Sequence, residues 1–154
     1  MKIKLTQNKY ALIDDKDFDL VSLYSWCFDK SIGYAVARIN KKVVRMHRLI
    51  LGLEVGEMCD HKNHNKLDNR RINLRLSNKS NNGANRTKQK NNTSGYKGVF
   101  LMKDGRKKKY MARMKFRNKD IFIGYFYTKK EAARAYNSSA KNYFGEYAYL
   151  NKIS

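Results

Sequence analysis

Residues 58–85 constrain the fold more tightly than any other part of the chain. Two short segments with apolar residues, Met58–His61 and Asn73–Leu76, are separated by an almost wholly polar run, 62–72. Such a run has too little apolar surface to be buried on its own, so it reads as a long loop between two strands. A helix is expected to begin near Ser77–Lys79 and to carry Asn81, Asn82 and Asn85, giving a β-β-α order. The first strand ends on Asp60-His61. The acid supplies an oxygen of the kind that binds metal ions, and the histidine can accept a proton near neutrality. Neighbours on a strand point to opposite faces. Both side chains can reach one site only where the backbone bends, and a hairpin end beside a helix provides such a bend.

The polar stretch sits in an unusually basic chain. Among 154 residues, 34 Lys and Arg oppose 13 Asp and Glu, a net charge of +21. That is far more than solubility requires and points to a polyanionic partner, nucleic acid above all. The excess grows along the sequence, from net +3 over residues 1–57 to +7 over 58–92 and +11 over 93–154. Charge alone fits a structural RNA-binding protein as well as a DNA-acting one. The two cysteines, Cys27 and Cys59, form no C-x-x-C pair, which argues against a zinc knuckle and suits a reducing interior. No apolar run approaches the ~20 residues needed to span a bilayer, and Met1-Lys2-Ile3-Lys4 does not open a signal peptide. A cytoplasmic location is expected, with no membrane partner.

Taken in order, residues 9–13 read as a strand, and Asp14-Asp15 as the cap of a helix over 16–25 with Phe18, Val21 and Tyr24 at helical spacing. Strands follow at 26–28, 33–37 and 43–46, then a short helix over 47–52 stopped by Gly52. This part is a small α+β unit. Residues 87–95 have almost no apolar content and read as a linker. The last third predicts a strand over 96–102, a hairpin turn at Lys103-Asp104-Gly105 and a strand over 110–116. In that strand Tyr110, Ala112, Met114 and Phe116 face one way, and Met111, Arg113 and Lys115 the other. A third strand, 121–126, leads to a capping box in which Thr128 is the N-cap and Glu131 the third helical residue. The helix is expected to end at Gly145. A three-stranded sheet with one helix leaves a face free, and that face carries Arg113 and Lys115.

Several of these segments resemble known families. Met46-His47-Arg48-Leu49-Ile50, Asp60-His61, Lys66-Leu67-Asp68-Asn69 and Asn73-Leu74-Arg75-Leu76 resemble the HNH endonucleases of phages and mobile introns. Ser94-Gly95-Tyr96-Lys97-Gly98-Val99, Ile123-Gly124-Tyr125-Phe126, Glu131-Ala132-Ala133-Arg134-Ala135-Tyr136 and Tyr149-Leu150-Asn151 resemble the apetala/ethylene-response-factor DNA-binding domain. In this order the two match a homing-endonuclease architecture over about residues 43–151. The resemblance implies a ββα-metal nuclease site in which His61 is the general base, Asp60 a metal ligand and Asn82 the second ligand, with Asn81 as the alternative. Asn73 matches the asparagine that holds the loop and orients the base. A carboxylate and an amide suit Mg²⁺ or Mn²⁺, with waters and the scissile phosphate completing the shell. His64 lies where the family often has glycine and is expected to be solvated. His47 is expected to pack rather than to bind metal, and Cys59 to be a strand residue.

The resemblance also implies that the free sheet face enters the DNA major groove, where a sheet fits. Arg113 and Lys115 are the expected groove residues, with Lys97 and Phe122 beside them; Phe100-Leu101-Met102 stand where plant members have arginines. Arg70, Arg71 and Arg75 are expected on phosphates near the cut. The fold expected is α+β: a nuclease domain over 1–86, a linker over 87–95 and a sheet-plus-helix DNA-binding domain over 96–154. The expected activity is nicking of double-stranded DNA by a monomer, in a phage-infected or host bacterial cell. The alternative is a non-catalytic DNA-binding regulator on the same scaffold.

Overall fold

A computed structural model describes residues 1–153, and they form an α+β protein. The chain divides into two compact units, Met1–Asn78 and Lys79–Ser154.

The first unit opens on a strand that no sequence pattern predicts. β1 (Lys2–Lys4) pairs antiparallel with β2 (Tyr10–Leu12). A single 3₁₀ turn, Asp15–Asp17, then leads into α1 (Phe18–Ser22). The helix expected over 16–25 is thus much shorter, and Asp14 does not cap it. The Asp14 carboxylate instead accepts the Arg71 backbone N–H at 2.7 Å. β3 (Cys27–Asp29), β4 (Tyr34–Ile39) and β5 (Lys42–Arg45) form an antiparallel meander. Its second turn places Asn40 and Lys41 at φ of 47° and 64°, the left-handed pair that matches the twist of a two-residue hairpin. α2 (Met46–Leu51) ends on Gly52 in the left-handed conformation, as expected. The core gathers Leu5, Ala11, Ile13, Val21, Trp26, Ala35, Ala37, Met46, Ile50 and Leu74. The Trp26 indole N–H donates to the Val21 carbonyl at 2.8 Å, so the ring is buried without an orphaned donor.

The hairpin that carries Asp60 and His61 is held on this core. β6 (Met58–His61) pairs antiparallel with β7 (Leu74–Ser77), with His61 opposite Leu74 and Asp60 opposite Arg75. The polar loop between them is ordered by its own side chains. Asn73 Oδ1 accepts the Asn63 N–H at 3.0 Å and its Nδ2 donates to the Asp68 carbonyl at 2.7 Å. Leu12 donates to the Leu67 carbonyl and accepts from the Asn69 N–H, both at 2.8 Å, which pins the loop to β2. Arg71 ties the loop to the helices: its guanidinium holds both oxygens of the buried Asp17 carboxylate and donates to the Ile50 carbonyl. One loop residue, His64, is exposed at φ 63°, a conformation that favours glycine.

The second unit begins with α3 (Lys79–Asn85). β8 (Val99–Leu101), β9 (Tyr110–Phe116) and β10 (Lys119–Phe126) form an antiparallel sheet in the order β10-β9-β8. β8 is shorter than the strand expected over 96–102. α4 (Lys129–Phe144) packs on one face, and its N-cap is the expected one, with Thr128 Oγ1 accepting the Glu131 N–H. Ala132 and Ala133 sit under Val99 and Ala112; Tyr136, Ala140 and Phe144 meet Met114 and Ala84. The close approach is fixed at Gly98. Its φ is 73°, and a Cβ there would lie 2.1 Å from the Tyr136 ring. The end of the expected linker is built into this unit. Ser94 is buried and donates to the Val99 carbonyl at 2.8 Å, and Asn92 accepts the Gly95 N–H. Asn151 closes the unit by pairing with both the N–H and the carbonyl of Lys97.

Candidate active site

Asp60 and His61 are successive residues of one strand, and they take different partners. Asp60 faces Arg75 across the hairpin, and the guanidinium reaches its carboxylate at 2.9 Å through Nη2 and 3.3 Å through Nε. Both side chains are largely buried, with 15% and 8% exposed. His61 is buried in a small cage of rings and amides. The His47 ring stands edge-on at 5.0 Å, the Tyr34 ring lies at 5.8 Å, and Asn69 Oδ1 sits 3.4 Å from His61 Nε2. Immediately after His61 the chain turns, with the His64 N–H donating back to the His61 carbonyl.

Electrostatics keep the imidazoles neutral. Burial pushes the His61 pKa below its ordinary value, against the opposing pull of the Asn69 hydrogen bond and the Asp60 and Asp68 carboxylates. Burial first, then His61, Arg45 and Arg48, pushes His47 down to about 3. A neutral imidazole can accept a proton at physiological pH. The Cys59 thiol is pushed up to about 11, chiefly by burial; it stays protonated and is a poor ligand.

Comparison with known proteins joins this hairpin to a family. The chain is 33% identical over 150 residues to an uncharacterized HNH endonuclease of Acanthamoeba polyphaga mimivirus, covering 94% of this chain and 75% of the relative. The chain belongs to the HNH endonuclease family. No family model and no solved structure matches it.

For an HNH chain the donor set is sparse. Among the described residues no group of three or more His, Cys, Asp and Glu side chains gathers where it could hold a metal ion. Asp60 carries its carboxylate on β6 of the first unit, where Arg75 holds it. Asn82 lies on α3, in the second unit, and its Oδ1 is buried with no hydrogen-bond partner among the described residues. A buried carbonyl oxygen in that state is one a cation would satisfy. Asn81 lies on the same helix.

The other residues singled out from the sequence fall into two groups. Arg70, Arg71 and Arg75 are each paired with a carboxylate of the chain itself: Asp68, Asp17 and Asp60. Lys97 also turns inward. Its ammonium caps carbonyls at the end of α3, those of Gly83, Ala84 and Arg86, and burial lowers its pKa to about 8. It is not directed alongside Arg113. Arg113, Lys115 and Phe122 do lie on the open sheet face. The Arg113 guanidinium stacks 4.7 Å from the Phe100 ring, and Phe122, 58% exposed, leans on Tyr125. Asn69 is a residue to which the sequence assigns no role. It stands in the Lys66-Leu67-Asp68-Asn69 segment that resembles the HNH endonucleases, and that segment does not reveal that the amide folds back under the His61 ring.

Proposed function

We propose that this chain is a divalent-metal-dependent DNA endonuclease of the homing type, hydrolysing phosphodiester bonds in double-stranded DNA. His61 takes the proton from the attacking water. Asp60 and Asn82 are the side chains that would hold Mg²⁺ or Mn²⁺. Bound there, the ion supplies stabilisation of charge on the scissile phosphate and the leaving 3′ oxygen. Asn73 keeps the loop after His61 closed. Arg113, Lys115 and Phe122 on the open sheet face set the DNA site. One ββα site in a monomer cuts one strand per binding event.

The observation that carries this reading is the buried imidazole of His61, next in sequence to the Asp60 carboxylate at the end of a hairpin strand. The test is plasmid nicking with Mg²⁺ or Mn²⁺, with and without chelator. His61→Ala should lose about 10²–10⁴-fold in rate, and chelator should abolish nicking. A variant that nicks as fast as the parent removes His61 from the role.

A second reading is a non-catalytic DNA-binding regulator on the same scaffold. It draws on the buried Arg75–Asp60 pair, which occupies the carboxylate the first reading needs. The same assay separates the two, since a regulator binds DNA without metal-dependent cleavage.

A further inference from the structure

We infer that Asn69 is the positioning residue of His61: it sets which ring nitrogen carries the proton. The inference rests on the reading of His61 as the base and names a residue that this reading lacked. Asn69 is 1% exposed. Its backbone is fixed by the N–H bond to the Leu12 carbonyl. Its amide orientation is fixed too, because Nδ2 donates to the Leu67 carbonyl at 3.2 Å and lies 3.5 Å from Met46 Sδ. Oδ1 is therefore the atom presented to His61 Nε2, at 3.4 Å. An amide oxygen only accepts, so Nε2 must be the donor, and the lone pair of the neutral ring then sits on Nδ1. The edge-on His47 ring and the Tyr34 ring restrict rotation of the imidazole. The other tautomer, protonated on Nδ1, would set the Nε2 lone pair against the Asn69 oxygen. A fixed tautomer held by an outer partner keeps a base ready without reorganisation during reaction.

The test reads the tautomer directly. Two-bond ¹H–¹⁵N spectra of the full chain in chelator, at a pH of about 8 where histidine is neutral, should show His61 protonated on Nε2; its signals are assigned by their loss in His61→Ala. Asn69→Leu, of similar volume, should give a mixed tautomer and lower kcat for nicking by about 10–100-fold, with KM changed by less than about threefold. Asn69→Asp keeps an acceptor at the same place and should restore the Nε2–H form and most of kcat. His61 protonated on Nδ1 in the parent chain overturns the proposal even if Asn69→Leu fails to fold. So does an Asn69→Leu that keeps both tautomer and kcat while His61→Ala is inactive, and in that case His61 remains the base. Full nicking by His61→Ala overturns the reading of the base and the positioning role together.

Discussion

At the scale of single residues, His47 is a base that the fold keeps uncharged. It is 5% exposed, its Nδ1 has no hydrogen-bond partner among the described residues, and its pKa falls to about 3. The unfolded chain binds a proton near 6.5 that the folded chain refuses. The stabilisation is therefore complete above that pH and is lost as pH falls from about 6.5 toward 3. Each such histidine contributes at most about 1.4 kcal/mol per pH unit. Denaturant unfolding of the parent and of His47→Phe between pH 7 and 4 should show a shallower loss of stability in the variant. His64 is strained in the backbone instead. At φ 63° it sits in a conformation that costs an L-residue about 1–2 kcal/mol. His64→Gly returns part of that against the extra flexibility of glycine and should stabilise the chain by about 0.5–1 kcal/mol in the same measurement.

At the scale of elements, most of the fold is legible in the sequence. The Tyr110–Phe116 alternation, the Thr128–Glu131 capping box and the Gly52 stop are local signals, and local signals survive packing. The exceptions are set by distant partners. Phe18, Val21 and Tyr24 suggest a helix over 16–25. That helix ends at Ser22, and Asp14 and Asp17 direct their carboxylates to Arg71, more than fifty residues away. β1 has no pattern of its own and exists because β2 lies beside it. Gly98 shows how closely sheet and helix are fitted in the second unit. Gly98→Ala would add both overpacking against Tyr136 and a strained φ, and should cost about 2–5 kcal/mol, read as a lower midpoint in thermal unfolding.

At the scale of the whole molecule, charge is the feature that binding must use. Of the basic residues expected on DNA, Arg70, Arg71, Arg75 and Lys97 already have partners within the chain. Arg113 and Lys115 remain on the open sheet face. If they meet phosphates, the slope of log K against log salt for DNA binding should fall by roughly 1 for each cationic side chain removed. Arg113→Ala with Lys115→Ala should thus flatten the slope by about 2, and an unchanged slope would remove this face from the phosphate backbone. If they read bases instead, the slope should hold while sequence preference relaxes.

Apart from β1, the order of the elements is written in the residues themselves, and so are the Asp60-His61 pair at a hairpin end and the strongly basic character. Each rests on spacing, capping or composition, which act along the chain. Three-dimensional packing alone settles that Arg75 faces Asp60, that Lys97 turns inward and that the Asn69 amide reaches His61. Those contacts depend on which side chains meet once the polar loop is folded back on the core, and no local pattern carries that information.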